Sequence, residues 1–138
     1  MSGNRVLILC TGNSARSQMA EGLLRSIGEG RFDAFSAGTN PSTVRPEAIA
    51  VMSERGIDIS AQRSKHVSEF DGQAFDYVIT VCDNAVESCP IFPGTTERID
   101  WSFPDPAAVE GGHEERLNVF RHVRDALEDT FRDFVRAH

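Results

Sequence analysis

"RVLILCTGNSARSQMAEGLLRSIG" (residues 5–28) passes through three kinds of local order without a linker. The first six residues, "RVLILC", form a continuous β-branched and leucine-rich run, the pattern of a strand buried on both faces. "TGNSA" (11–15) is small and polar and reads as a turn. In the remainder Met19, Ala20, Leu23, Leu24 and Ile27 recur at helical spacing, and Gly28 stands where a helix would stop. A strand that turns sharply into a helix is the opening unit of an α/β fold.

The chain outside this stretch repeats the alternation. "RFDAFSAG" (31–38) reads as a second strand, and "RPEAIAVMSERG" (45–56) as a helix with Pro46 in its first turn and Gly56 past its end. "FDYVITVC" (75–82) is a third strand and "TERIDW" (96–101) a fourth, alternating one. The loop "SFPDPAAVEGG" leads to a closing helix from about residue 113, with Leu117, Phe120, Val123, Leu127, Phe131 and Phe134 on one apolar face. Strands alternating with helices predict a four-stranded parallel sheet with helices on both faces. Right-handed crossovers restrict its order to 2-1-3-4, the flavodoxin-like arrangement. Ligands of such sheets sit beyond the carboxyl ends of the strands, where the winding reverses between strands 1 and 3. Cys10, Cys82 and Asp105 therefore converge on one rim.

Composition limits the function. A chain of 138 residues suits a single domain, expected here over 1–138. Its formal net charge of −7 argues against nucleic acid or an anionic membrane as partner. No apolar run approaches the ~18 residues of a membrane span. The start, "MSGNRVLILC", has too short an apolar core for an export signal, so a cytoplasmic protein is expected. Cysteines there are more often catalytic, redox-active or metal-binding than structural, and the odd count of three fits no static disulfide framework.

"CTGNSARS" (10–17) has the residue types of an oxyanion site. A loop whose N–H groups turn inward and run on into a helix N-terminus cradles a tetrahedral anion, here through Thr11, Gly12, Asn13, Ser14 and Ala15. Gly12 and Asn13 tolerate the positive φ that such a nest asks for. Arg16 supplies a planar fork for two oxygens. Cys10 lies beneath the anion, and the same donors are expected to lower its pKa, with Ser17 adding a hydrogen bond to the sulfur. The bland alternative, a cysteine filling the end of a buried strand, explains neither the arginine nor the loop. Asp105 sits between Pro104 and Pro106, which hold its carboxylate out of regular structure, as a general acid above the anion would need. By itself it reads more readily as part of an ordinary proline turn.

These residues carry a resemblance. "VLILCTGNSARSQMAEGLLR" is similar to the phosphate-binding loop of the low-molecular-weight protein tyrosine phosphatases, and length, alternation and the late "FPDPA" match along the whole chain. The layout of the cysteines further resembles the thioredoxin-coupled arsenate reductases built on that scaffold. The resemblance implies Cys10 as nucleophile, Arg16 as oxyanion clamp and Asp105 as general acid. It also implies a Cys10–Cys82–Cys89 disulfide relay, arsenate as substrate with phosphate as its analogue, and thioredoxin as electron donor. No cofactor is called for. Cys82 and Cys89 stand seven positions apart, roughly 10 Å along a helix, which is too far for a disulfide. A relay therefore predicts a short, marginal helix over 83–89 that loops out on oxidation. Cys82 also reads as a buried strand end, and zinc fits the cysteine and histidine spacings poorly.

Some reductases of this kind bind potassium beside the loop through residues matching Asn13, Glu21 and Ser36 together with a carboxylate. Here Lys65, the chain's one lysine, stands where the carboxylate would, so no potassium requirement is expected. Two rival functions remain at this level. A phosphotyrosine phosphatase would need Cys10, Arg16 and Asp105 only, but Ala107 and Ala108 stand where such enzymes carry an aromatic platform. A redox-sensing module would need the cysteines and not the acid.

Overall fold

The computed structural model describes residues 4–82 and 96–138. Strands β1 (Asn4–Cys10), β2 (Phe32–Gly38), β3 (Tyr77–Thr80) and β4 (Glu97–Asp100) form one parallel sheet of order β2-β1-β3-β4. Its helices among the described residues are α1 (Arg16–Gly28), α2 (Pro46–Ser53) and α3 (His113–Ala137). The topology is the expected one, and β1 with its two neighbours forms the centre. Val6, Leu7, Ile8 and Leu9 are all fully buried, as a strand covered on both faces must be.

Alternation along β2 sorts the two faces. Phe32 packs its ring 5.5 Å from that of Phe134 on α3, so this face carries α3. Phe35 points the other way, into edge-on contact with Phe70 and Phe75, beside the 3-10 turn Val67–Phe70. The apolar face expected of the last helix is intact, with Leu117, Phe120, Val123, Leu127, Phe131 and Phe134 buried. Truncating a fully buried phenylalanine such as Phe120 or Phe131 to alanine costs about 3–5 kcal/mol in such surroundings.

Several boundaries are tighter than the sequence implies. The third strand covers 77–80 rather than 75–82, and α2 stops at Ser53, before the residues next to Gly56. The ladder still runs past the strand ends. The Val81 N–H donates to Leu9 O, and the Trp101 and Phe103 N–H groups donate to Thr80 O and Val81 O. This backbone pairing carries the segments before Cys82 and Asp105 to the carboxyl edge, next to the end of β1. The expected marginal helix over 83–89, with Cys89, lies outside the described residues. No helix among the described residues is long and apolar enough to cross a membrane.

Candidate active site

Loop 10–15 is shaped by what happens to its carbonyls. Cys10 O accepts from the Thr39 N–H, Thr11 O from Asn40, Gly12 O from Ser42 and Ser14 O from Arg45. Asn13 O accepts from the side-chain amide of Gln18 at 3.0 Å. In a trans peptide the carbonyl of one residue and the N–H of the next point in opposite directions, and no peptide here is cis. Five carbonyls drawn outward therefore turn the N–H groups of Thr11, Gly12, Asn13, Ser14 and Ala15 inward. The first N–H groups of α1, which have no partner within the helix, continue the same cradle.

A second layer fixes the loop from behind. Asn13 is fully buried at φ 46°, the left-handed conformation expected of it. Its Nδ2 donates to Ser17 Oγ at 2.8 Å and Ser36 Oγ at 3.0 Å, and its Oδ1 accepts from Gln18 Nε2 and the Lys65 N–H. Ser64 adds its hydroxyl to Gly12 O at 3.1 Å. Gly38, at the end of β2, lies so close that a Cβ there would stand 2.4 Å from Thr11 O, so only glycine lets the strand approach the loop.

Two expectations need correction here. Gly12 does not take a positive φ; a Cβ there would stand 3.3 Å from Ser14 Oγ, a tight approach that the serine side chain would have to ease. Ser17 accepts from Asn13 Nδ2 in the buried network and makes no hydrogen bond to the Cys10 sulfur.

In front of the loop lies a cavity of about 290 Å³ lined by Cys10, Thr11, Gly12, Ser14, Ala15, Arg16, Asn40, Ser42 and Asp105. Arg16 Nη1 donates to Phe103 O at 3.0 Å, and its Nη2 stands 3.9 Å from the Asp105 carboxylate. The guanidinium is 12% exposed and the aspartate 44%, so the acid hangs at the mouth. Asp105 also accepts the Ala107 N–H at 3.0 Å, which caps the 3-10 turn Pro106–Ala108. Prolines on both sides and the buried Pro106 keep that turn out of the helix that follows.

Cys10 and Cys82 are both buried and reduced, with Cys10 hydrogen-bonded to Cys82. Thr11 Oγ1 lies 3.4 Å from the Cys82 sulfur. The lowered pKa expected for Cys10 is not found: its thiol is held above the ordinary value. The hydrogen bond to Cys82 is the largest cause and burial the next, while Arg16 and the Thr11 N–H pull the other way. Two thiols in contact release their protons in two steps, so this pair holds one thiolate more readily than two.

The sequence pattern brings together Cys10, Thr11 to Arg16, Cys82 and Asp105, as the rim argument requires. It gives no sign of the donors in 39–45, because backbone N–H groups leave no mark on residue identity, nor of Ser64 and Gln18, whose side chains reach the loop only in the folded chain.

Strand, oxyanion loop and helix are joined to a late acid loop along nearly the whole chain. Residues 5–137 match the family described as low molecular weight phosphotyrosine protein phosphatase. The chain belongs to that family. Within this phosphatase family, an arsenate reductase of Halalkalibacterium halodurans is 42% identical over 135 residues, 98% of this chain and 97% of its own. A solved arsenate reductase in its oxidized state superposes with TM-score 0.83 at 34% identity, covering 97% of this chain and 98% of its own. The low molecular weight protein tyrosine phosphatase of T. tengcongensis superposes with TM-score 0.81 at 25% identity, covering 99% and 100%. Reductase and phosphatase thus share one scaffold, and what distinguishes this member of the family must lie in the sulfurs and in the rim.

Lys65 bears on the cation that some family members hold. Its Nζ donates to Arg63 O at 3.0 Å and stands 4.0 Å from Glu21, whose carboxylate also accepts from Ser36 and pairs with Arg25. An ammonium thus already stands beside the Glu21 carboxylate that a potassium ion would use, so these residues do not fit the ion.

Proposed function

We propose that this protein reduces arsenate to arsenite with its own thiols and is returned to the dithiol state by thioredoxin. The observation that carries this is the contact between two reduced thiols, Cys10 and Cys82, at the floor of an oxyanion cradle. A phosphatase needs one sulfur there. A two-electron reduction needs two.

Arsenate enters as a tetrahedral anion held by the N–H groups of the loop and the Arg16 fork, against the chain's net charge of −7. The Cys10 thiolate attacks arsenic and forms an S–As bond, while a protonated oxygen leaves as water with a proton from Asp105. Cys82 then attacks the Cys10 sulfur. An S–S bond forms, the S–As electron pair passes to arsenic, and arsenite departs. The hydroxyl of Thr11 is in reach to steady the attacking Cys82 sulfur. Cys89 next attacks Cys82, giving a Cys82–Cys89 disulfide and releasing the Cys10 thiol. Val81 is held on both sides by the ladder, so a hinge at Cys82 would let that sulfur turn away without unpicking the sheet. A dithiol protein such as thioredoxin, in the reducing cytoplasm, resolves the resulting mixed disulfide by itself.

The same loop and acid should cleave small aryl phosphates slowly, because Cys10, Arg16 and Asp105 suffice for that chemistry. Ala107 and Ala108 offer no ring to pack on a phosphotyrosine, which keeps this a side activity.

The decisive experiment follows arsenate-dependent NADPH oxidation with thioredoxin and its reductase for wild type, Cys82→Ser and Cys89→Ser. Wild type should cycle, Cys82→Ser should make no arsenite, and Cys89→Ser should stop after one turnover with a Cys10–Cys82 disulfide visible by mass spectrometry. Sustained cycling of Cys89→Ser at the wild-type rate would overturn the relay.

A further inference from the structure

We infer that Arg45 is a positioning residue that holds Asp105 in register with the oxyanion loop; this rests on the general-acid reading of Asp105 given above. Two arginine side chains reach the backbone of the acid loop. Arg16 Nη1 donates to Phe103 O at 3.0 Å, and Arg45 Nη2 reaches Ala107 O at 3.5 Å. These carbonyls flank Asp105, two residues before it and two after. Arg16 also belongs to the anion clamp. Arg45 does not line the cavity and meets its wall through its backbone N–H on Ser14 O.

What distinguishes Arg45 is where its own main chain is fixed. Its N–H donates to Ser14 O at 2.9 Å, one of the five bonds that turn the loop's N–H groups inward. Its C=O accepts from the Ile49 N–H at 3.2 Å, the first bond of α2. One residue thus starts on the oxyanion loop, is locked by a helix and ends on the acid loop. The Ala107 it reaches is the residue whose N–H caps the Asp105 carboxylate at 3.0 Å. Any sliding of the acid relative to the bound anion must stretch this tie. Asp105 itself is exposed, and displacement of an acid by about an ångström is enough to cost as much as 10²-fold in rate.

The prediction is specific because Arg45 is only half-buried, so shortening it opens no core cavity. Single-turnover loss of thiols on mixing with arsenate, read by alkylation and mass spectrometry, gives the rate at saturation and the half-saturating arsenate concentration across a pH series. Arg45→Ala should lower the saturating rate roughly tenfold while leaving half-saturation near the wild-type value, since positioning and not anion binding is lost. Its pH profile should change in the same direction as that of Asp105→Asn, and Arg45→Lys should recover part of the rate. If Arg45→Ala instead raises the half-saturating concentration at unchanged rate, or keeps the wild-type pH profile while Asp105→Asn does not, Arg45 merely supports the anion loop and the inference is wrong. If Asp105→Asn itself keeps the wild-type rate and profile, the acid reading fails first and the role of Arg45 with it.

Discussion

The two loops that meet over Cys10 are built on opposite plans. Loop 10–15 has five carbonyls taken up by donors from 39–45 and Gln18, and its central Asn13 is fully buried with four side-chain hydrogen bonds. Loop 103–108 is held by the Phe103 N–H on Val81 O, two arginine contacts, a buried proline, a capped turn and the partly buried Phe103 and Ala107, with its aspartate at the solvent. The difference follows from the tasks proposed for them. Donors for a tetrahedral anion must be fixed before it arrives, because their reorganisation would consume the binding energy. An acid must exchange protons with water between turnovers, so it has to stay exposed and depends on a few ties for its aim.

If this contrast is right, damage to the two loops should separate activity from stability. The largest effect belongs to Asp105→Asn: about 10²–10⁴-fold slower arsenate reduction. Its thermal midpoint should stay at the wild-type value, since the side chain's contacts lie at the surface. A melting point that falls along with the rate would show that the acid loop is as structural as its neighbour. Asn13→Ala should do the reverse in emphasis. It strands the Lys65 N–H and asks alanine to adopt φ 46°, costing about 2–4 kcal/mol of stability as measured by denaturant unfolding. Activity should fall too, but phosphate binding should weaken with it, which Asp105→Asn would not cause. Unfolding free energies of Asn13→Ala and wild type that agree within error would dissolve the distinction between the loops.

How much of this the sequence disclosed also divides between the loops. Loop 10–15 is legible because its chemistry is local: cysteine, small polar residues, arginine and serine stand between a buried run and a helix. The strand order follows equally from alternation and handedness. Asn13 at positive φ could be read from its residue type, whereas the same reading fails for Gly12, whose Cβ would meet Ser14 Oγ. The acid in 103–108 was readable only through family resemblance, because Pro-Asp-Pro by itself is also a common turn. The donors in 39–45 were illegible in principle. They act through backbone N–H groups, and their registry arises only when β2 lies beside β1 with Gly38 against Thr11 O. The direction of the Cys10 pKa was misread for a similar reason. Helix and arginine are near in sequence, but the opposing Cys82 is 72 positions away.

That thiol pair gives a smaller, pH-dependent effect. The Cys10 pKa is raised in the folded protein, so as pH climbs the unfolded chain gives up this proton first. Its contribution to stability is therefore whole below the ordinary thiol pKa of about 8.5 and is lost as pH rises past it. Denaturation midpoints of the reduced protein should decline between neutral and alkaline pH. Cys82→Ala, which removes the largest cause of the shift, should decline less over the same range. Equal slopes for the two proteins would mean that the sulfurs are not coupled.

The smallest effect concerns what stands behind the rigid loop. Asn13, Ser36 and Glu21 form a polar cluster that a cation would complete, and the ammonium of Lys65 is already in hydrogen-bond reach of Arg63 O and 4.0 Å from Glu21. Burial lowers the Lys65 pKa, and the Glu21 carboxylate opposes that fall. The lysine thus supplies covalently what an ion would supply by mass action, and the loop's rigidity should not depend on salt identity. Arsenate reduction in potassium chloride and in sodium chloride at equal ionic strength should then run at the same rate, and the melting point should be the same in both. Lys65→Met removes the tethered charge and leaves Glu21 with Arg25 and Ser36. In that variant a modest potassium-specific rise in melting point is expected, because the ion can then enter. Potassium stimulation of the wild-type protein above its sodium control would show that the ammonium does not fill the place, and that the firm loop, unlike the acid loop, borrows its order from the solvent.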